Sequence, residues 1–136
     1  MTAPGEGVGL GRLTVGTLDV GLRRGTSDDL PALVAMLADD ELGRSREVVD
    51  GDLAPYRDAF ATIDADPAHL LVVAVAMEEI IGTLQLSVVP GLARRGALRG
   101  QLEAVRVAQR RPPLLRAAGL PCVARGFQAR AIALLG

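Results

Sequence analysis

Gln101-Leu-Glu-Ala-Val-Arg-Val-Ala108 reads as an apolar strand carrying a single acid, and Gln109-Arg-Arg-Pro-Pro-Leu-Leu-Arg116 follows it directly. A carboxylate inside such a strand costs desolvation energy unless it has a partner or a task. Glu103 is therefore the first candidate for a functional residue. The alternative is an ion pair with Arg94, Arg95 or Arg99 of the preceding loop. Upstream, Leu84, Leu86 and Val88 alternate with Thr83, Gln85 and Ser87, which predicts a strand over 80–89 with one half-polar face. The run from His69 to Ala76 reads as a buried strand. Only Met77-Glu-Glu79 separates the two, a connection too short for anything but an antiparallel hairpin.

Further upstream the period changes from two to about three and a half. Leu30, Leu33, Val34 and Leu37 form one helical face reaching to about Asp40, opened by Thr26-Ser-Asp-Asp29 with Pro31 tolerated near the start. Leu53, Tyr56, Phe60 and Ile63 define a second helix over 52–64, stopped by Asp66-Pro67. A short strand is expected over 18–24, and residues 41–51 read as a polar loop. Residues 1–16 are glycine-rich without periodicity and read as a flexible leader. Gly91 to Gly100 reads as an Arg-rich loop. The resulting order is strand, helix, helix, strand, strand, strand.

Three stretches in that order resemble the GNAT N-acetyltransferase family. Arg23-Arg-Gly-Thr-Ser-Asp-Asp-Leu-Pro-Ala-Leu33 resembles the family's first strand and the start of its first helix. Ile80-Ile-Gly-Thr-Leu-Gln-Leu86 is similar to its third strand, and Leu102-Glu-Ala-Val-Arg-Val107 to its fourth. The likeness covers residues 18–108. It implies an α/β (α+β) fold of the acyl-CoA N-acyltransferase kind: a mixed, mostly antiparallel sheet with flanking helices, incomplete at the C-terminus. By the same resemblance the backbone of Val105, Arg106 and Val107 would hold the pantetheine arm of acetyl-coenzyme A. Glu103 would act as general base towards a small-molecule or peptide amine. The resemblance leaves room for a homodimer.

Beyond residue 108 the likeness ends. The family places a glycine-rich turn there, whose amides and helix N-terminus bind pyrophosphate. This chain has Pro112 and Pro113, which remove two N–H donors, and no glycine to bring the backbone close. Arg110 and Arg111 are left as electrostatic candidates for the phosphates. Ala, Arg, Leu, Gly and Pro fill 22 of the 28 positions from 109 to 136 (6, 5, 5, 3 and 3), and no clear amphipathic period appears. A shifted reading frame and genuine divergence with lost activity both account for such a segment.

Composition narrows the rest. A chain of 136 residues suits one domain. With only 2% aromatic residues, the core must be built from Leu, Val, Ile and Ala. A single cysteine, Cys122, excludes an internal disulfide and a cysteine-based zinc site. Asp39, Asp40 and Glu41 lack His or Cys partners, so no metal site is expected. No apolar run approaches the ~20 residues of a membrane helix, and the N-terminus lacks the pattern of a secretory signal, which points to the cytoplasm. Charge is divided: residues 1–90 hold 6 Arg and 15 acids, net −9, while 91–136 hold 9 Arg and 1 acid, net +8. A basic half suits phosphate groups. Nucleic acid is the weaker reading, because that half has only Phe127 for stacking and no recognisable reading helix.

Overall fold

Among the described residues, five strands cross one sheet in the order in which the chain makes them. The computed structural model describes residues 8–15, 17–39 and 51–108. The strands are β1 (Gly9–Val15), β2 (Leu18–Arg24), β3 (His69–Ala76), β4 (Glu79–Pro90) and β5 (Leu98–Val107). Every pairing among the described residues is antiparallel, so the parallel part of the expected mixed sheet does not fall within them. Between β2 and β3 the chain forms a 3-10 turn (Ser27–Asp29), α1 (Leu30–Leu37) and α2 (Ala54–Ala65).

The period-two pattern sorts side chains to two faces. On one face Leu22, Val72, Ala74, Leu84 and Leu86 form the centre of the main core, with Val72 and Leu84 fully buried. On the other, Val73 packs against Leu33 and Met36 of α1. Each fully buried Leu or Val contributes roughly 1.5–3 kcal/mol, so this aliphatic set can replace the missing aromatics. α2 is only half-committed: Tyr56, Phe60 and Ile63 are partly exposed and none of its residues is buried.

The first helix is anchored by charge. The Thr26 N–H donates to Asp29 Oδ2 at 2.7 Å, and Arg23 reaches the same carboxylate from β2. At the other end of the sheet, β3 and β4 are joined by Met77 and Glu78, both left-handed (φ 52° and 64°). A two-residue hairpin with both central residues at positive φ is a type I′ turn, which matches the twist of its strands. A second left-handed run, Arg94, Arg95 and Gly96 (φ 54°, 61° and 78°), lies in the exposed connection from β4 to β5.

Two boundaries differ from the sequence reading. Residues 9–15, expected within a flexible leader, form β1 and pair with β2 from Gly9↔Arg23 to Val15↔Leu18. Leu10 and Leu13 supply the reason, since both pack against the main core. The loop read over 91–100 is shorter, because β5 begins at Leu98 opposite Pro90. Residues 41–50 and 109–136, with Arg110 and Arg111, lie outside the described residues.

Candidate functional site

β5 contains one residue more than β4 needs. Thr83 pairs with Arg106 and Gln85 with Glu103, so Ala104 and Val105 together oppose Leu84. Ala104 takes φ 52° to make this bulge, a conformation that costs a non-glycine residue on the order of 1–3 kcal/mol. Among the described residues β5 is an edge strand. Past the bulge the ladder resumes: the Ala108 N–H donates to the Ile81 carbonyl at 2.8 Å. Because antiparallel pairs alternate, Arg106 then bonds inward while the N–H and C=O of Val107 turn to the open edge. Of the three backbone candidates, Val107 faces the edge, Val105 lies in the bulge and Arg106 is held to β4. The Arg106 guanidinium also donates from Nη1 to the Val105 carbonyl at 3.0 Å.

Glu103 precedes the bulge, and its side chain is exposed. Open to water, Glu103 pays no desolvation cost despite the apolar residues on either side of it in the sequence. Alternation places Glu103 on the half-polar face of the sheet, above Gln85, rather than in the core. Gln101 Nε2 donates to Glu103 Oε1 at 2.6 Å. Among the described residues no ion pair joins Glu103 to Arg94, Arg95 or Arg99. The carboxylate thus accepts a hydrogen bond from a neutral donor and is open to solvent.

The same face carries a polar row that the sequence did not announce. His69 on β3 pairs in register with Ser87 on β4, and Ser87 with Gln101 on β5. His69 Nδ1 is 2.8 Å from Ser87 Oγ, and its Nε2 is 3.5 Å from Asp66 Oδ2. His69 thus opens β3 with a partner on each side. The missed signal was register: a second bulge, between Ala74 and Val75, brings Ser87 rather than Leu86 opposite His69.

Beside this row the two helices leave an apolar cavity of about 160 Å³. Leu33 and Leu37 of α1, Phe60 and Ile63 of α2 and Leu71 of β3 form its walls, with Tyr56 among them. Gln85 and the bulged Ala104 form its edge towards β5. The cavity, the bulge and Glu103 are therefore neighbours on one face. Among the described residues no three His, Cys, Asp or Glu side chains are grouped to hold a metal ion, and no helix is long and apolar enough to cross a membrane.

The structure resembles three solved proteins in particular. A transcriptional regulator from Bacillus halodurans aligns at 35% identity with a TM-score of 0.71, covering 84% of this chain and 72% of that one. An acetyltransferase from Trypanosoma brucei aligns at 22% identity and TM-score 0.54, covering 86% and 72%. Glucosamine-6-phosphate N-acetyltransferase from Arabidopsis thaliana aligns at 16% identity and TM-score 0.53, covering 79% and 76%. The last two are likenesses of fold. No family model and no curated protein matches the sequence.

Proposed function

The chain belongs to one family with the Bacillus halodurans protein and has the GNAT acetyltransferase fold, and from that premise we propose that it transfers an acetyl group from acetyl-coenzyme A to an amine. The bulged strand carries this reading: β5, an edge strand among the described residues, turns the backbone of Val107 outward three residues after the bulge begins and has Glu103 immediately before it. The N–H and C=O of Val107 suit the amides of a pantetheine arm running along β5. Glu103 takes a proton from the acceptor ammonium, the neutral nitrogen attacks the thioester carbonyl, and collapse of the tetrahedral intermediate breaks the carbon–sulfur bond while the nitrogen gives its second proton to solvent. Coenzyme A leaves as a thiolate and is protonated by solvent. General-base assistance of this kind contributes about 10²–10⁴-fold.

The pyrophosphate contact would fall on Arg110 and Arg111, with Pro112 and Pro113 reducing the amides available. The proposed enzyme therefore grips its co-substrate weakly, and acts on a small-molecule or peptide amine in the cytoplasm. The decisive experiment measures coenzyme A release from acetyl-coenzyme A with a panel of amines. Release above the uncatalysed rate with at least one amine is expected; none at millimolar co-substrate would overturn the proposal.

A second reading is a domain that binds without catalysing. The description of the Bacillus halodurans relative as a transcriptional regulator favours it. Saturable binding of acetyl-coenzyme A by calorimetry, with no turnover on any amine, would select this reading.

A further inference from the structure

The cavity between the helices and the sheet is apolar at its walls and polar at one border, which fits a particular kind of amine. We propose that the acceptor is a primary amine with a compact hydrocarbon body of about six carbons, the body filling this cavity and the amino group lying beside Glu103; this rests on the acetyl-transfer reading.

Size sets the body. At about 160 Å³ the cavity matches apolar protein cavities of ~150 Å³ that take up benzene. Chemistry sets its character: Leu33, Leu37, Phe60, Ile63 and Leu71 offer hydrocarbon and no charge. A polar or doubly charged amine would lose hydration there without recovering hydrogen bonds. Geometry sets the direction. Gln85 belongs to the cavity wall and lies directly opposite Glu103 in register, where paired Cβ atoms are ~4.5–5.5 Å apart. Ala104, next to Glu103, closes the same border. An amine seated with its hydrocarbon between α1 and α2 therefore has its nitrogen at the carboxylate and its approach at the bulge. The alternative source of a hydrocarbon is a longer acyl chain on the donor.

Amine binding is measured by calorimetry on the full chain without co-substrate, using ethylamine, butylamine, hexylamine, benzylamine and ethanolamine. Tyr56 offers a second readout, because it is the one tyrosine in a chain without tryptophan and it lines the cavity. Affinity should rise about fourfold per methylene up to about six carbons and then level off. Hexylamine and benzylamine should alter Tyr56 emission, and ethanolamine should not. Ala59→Trp, an exposed α2 position bordering the cavity, should remove the length dependence while acetyl-coenzyme A binding is retained. Flat affinities, or length dependence surviving Ala59→Trp, would overturn the proposal. So would hexanoyl-coenzyme A outperforming acetyl-coenzyme A in an Ala59-dependent way with ethanolamine as acceptor, since the hydrocarbon would then belong to the donor. Length-dependent binding without transfer to any amine would remove the acetyltransferase reading and keep the amine site; transfer without length dependence would do the reverse.

Discussion

Arg23 and Asp29 meet through two parallel hydrogen bonds, Nη1 to Oδ2 at 2.7 Å and Nη2 to Oδ1 at 2.8 Å, with both side chains at most 4% exposed. The pair fixes the end of β2 to the start of α1, and with it the wall of the cavity. Asp29→Ala should destabilise the fold by about 3–5 kcal/mol in urea unfolding, because it leaves a buried guanidinium without its main counter-charge. Replacing both residues by apolar ones of similar volume should recover much of that loss. Equal losses for the single and double variants would show that the two charges are not coupled.

Burial raises the Asp29 carboxyl, but the hydrogen bonds from Arg23 and Thr26 outweigh it and hold the group below the usual carboxylate range. A folded-state value below the unfolded one gives stability that is present above about pH 4 and is lost as the pH falls through the folded value. Urea midpoints should therefore drop below about pH 4 in the parent chain. In Asp29→Asn the drop over the same window should be smaller.

Glu103→Gln keeps the shape of the side chain but cannot take a proton. Turnover should fall by roughly 10²–10⁴-fold while acetyl-coenzyme A affinity stays within about twofold. An unchanged pH–rate profile in the variant would return Glu103 to a structural role beside Gln101.

Acetyl-coenzyme A should bind only in the millimolar range. Two or three lost amide contacts to a charged group, at about 1.5–3 kcal/mol each, account for most of a micromolar affinity. The part that Arg110 and Arg111 supply should weaken as salt is raised. Micromolar binding that persists in high salt would contradict this.

Much of the fold was legible because its signals were local. The alternation in 80–89, the short connection at Met77-Glu78 and the helical spacing of Leu30, Leu33, Val34 and Leu37 each act within a few residues, and the observed elements follow them. What the sequence concealed depended on partners. β1 is a strand only because β2 offers it a ladder and a core for Leu10 and Leu13. The exposure of Glu103, its bond from Gln101 and the row from His69 to Gln101 all depend on register, which two bulges shift by one residue each. The cavity depends on helix placement, to which Tyr56 and Phe60 give no local clue.

Met77 and Glu78 occupy positions where the type I′ turn favours Asn and Gly. The double substitution Met77→Asn, Glu78→Gly should stabilise the fold by about 1–2 kcal/mol, since left-handed geometry costs most residues that much each and glycine almost nothing. A lower midpoint in denaturant would mean that these side chains contribute more than their strain.

The strand order has a consequence for how the chain acquires its shape. Four sheet contacts join strands adjacent in sequence, but residues 25–68 separate β2 from β3 while short turns separate the others. The β1–β2 and β3–β4–β5 units can therefore zip up locally and early. Their union must close the long loop carrying both helices, and loop-closure entropy makes that step the slowest. Gly25, whose N–H donates to the Leu71 carbonyl at 2.8 Å, lies at that seam. Substitutions around it should slow folding more than those in either hairpin, so the cavity and the amine site would be assembled last.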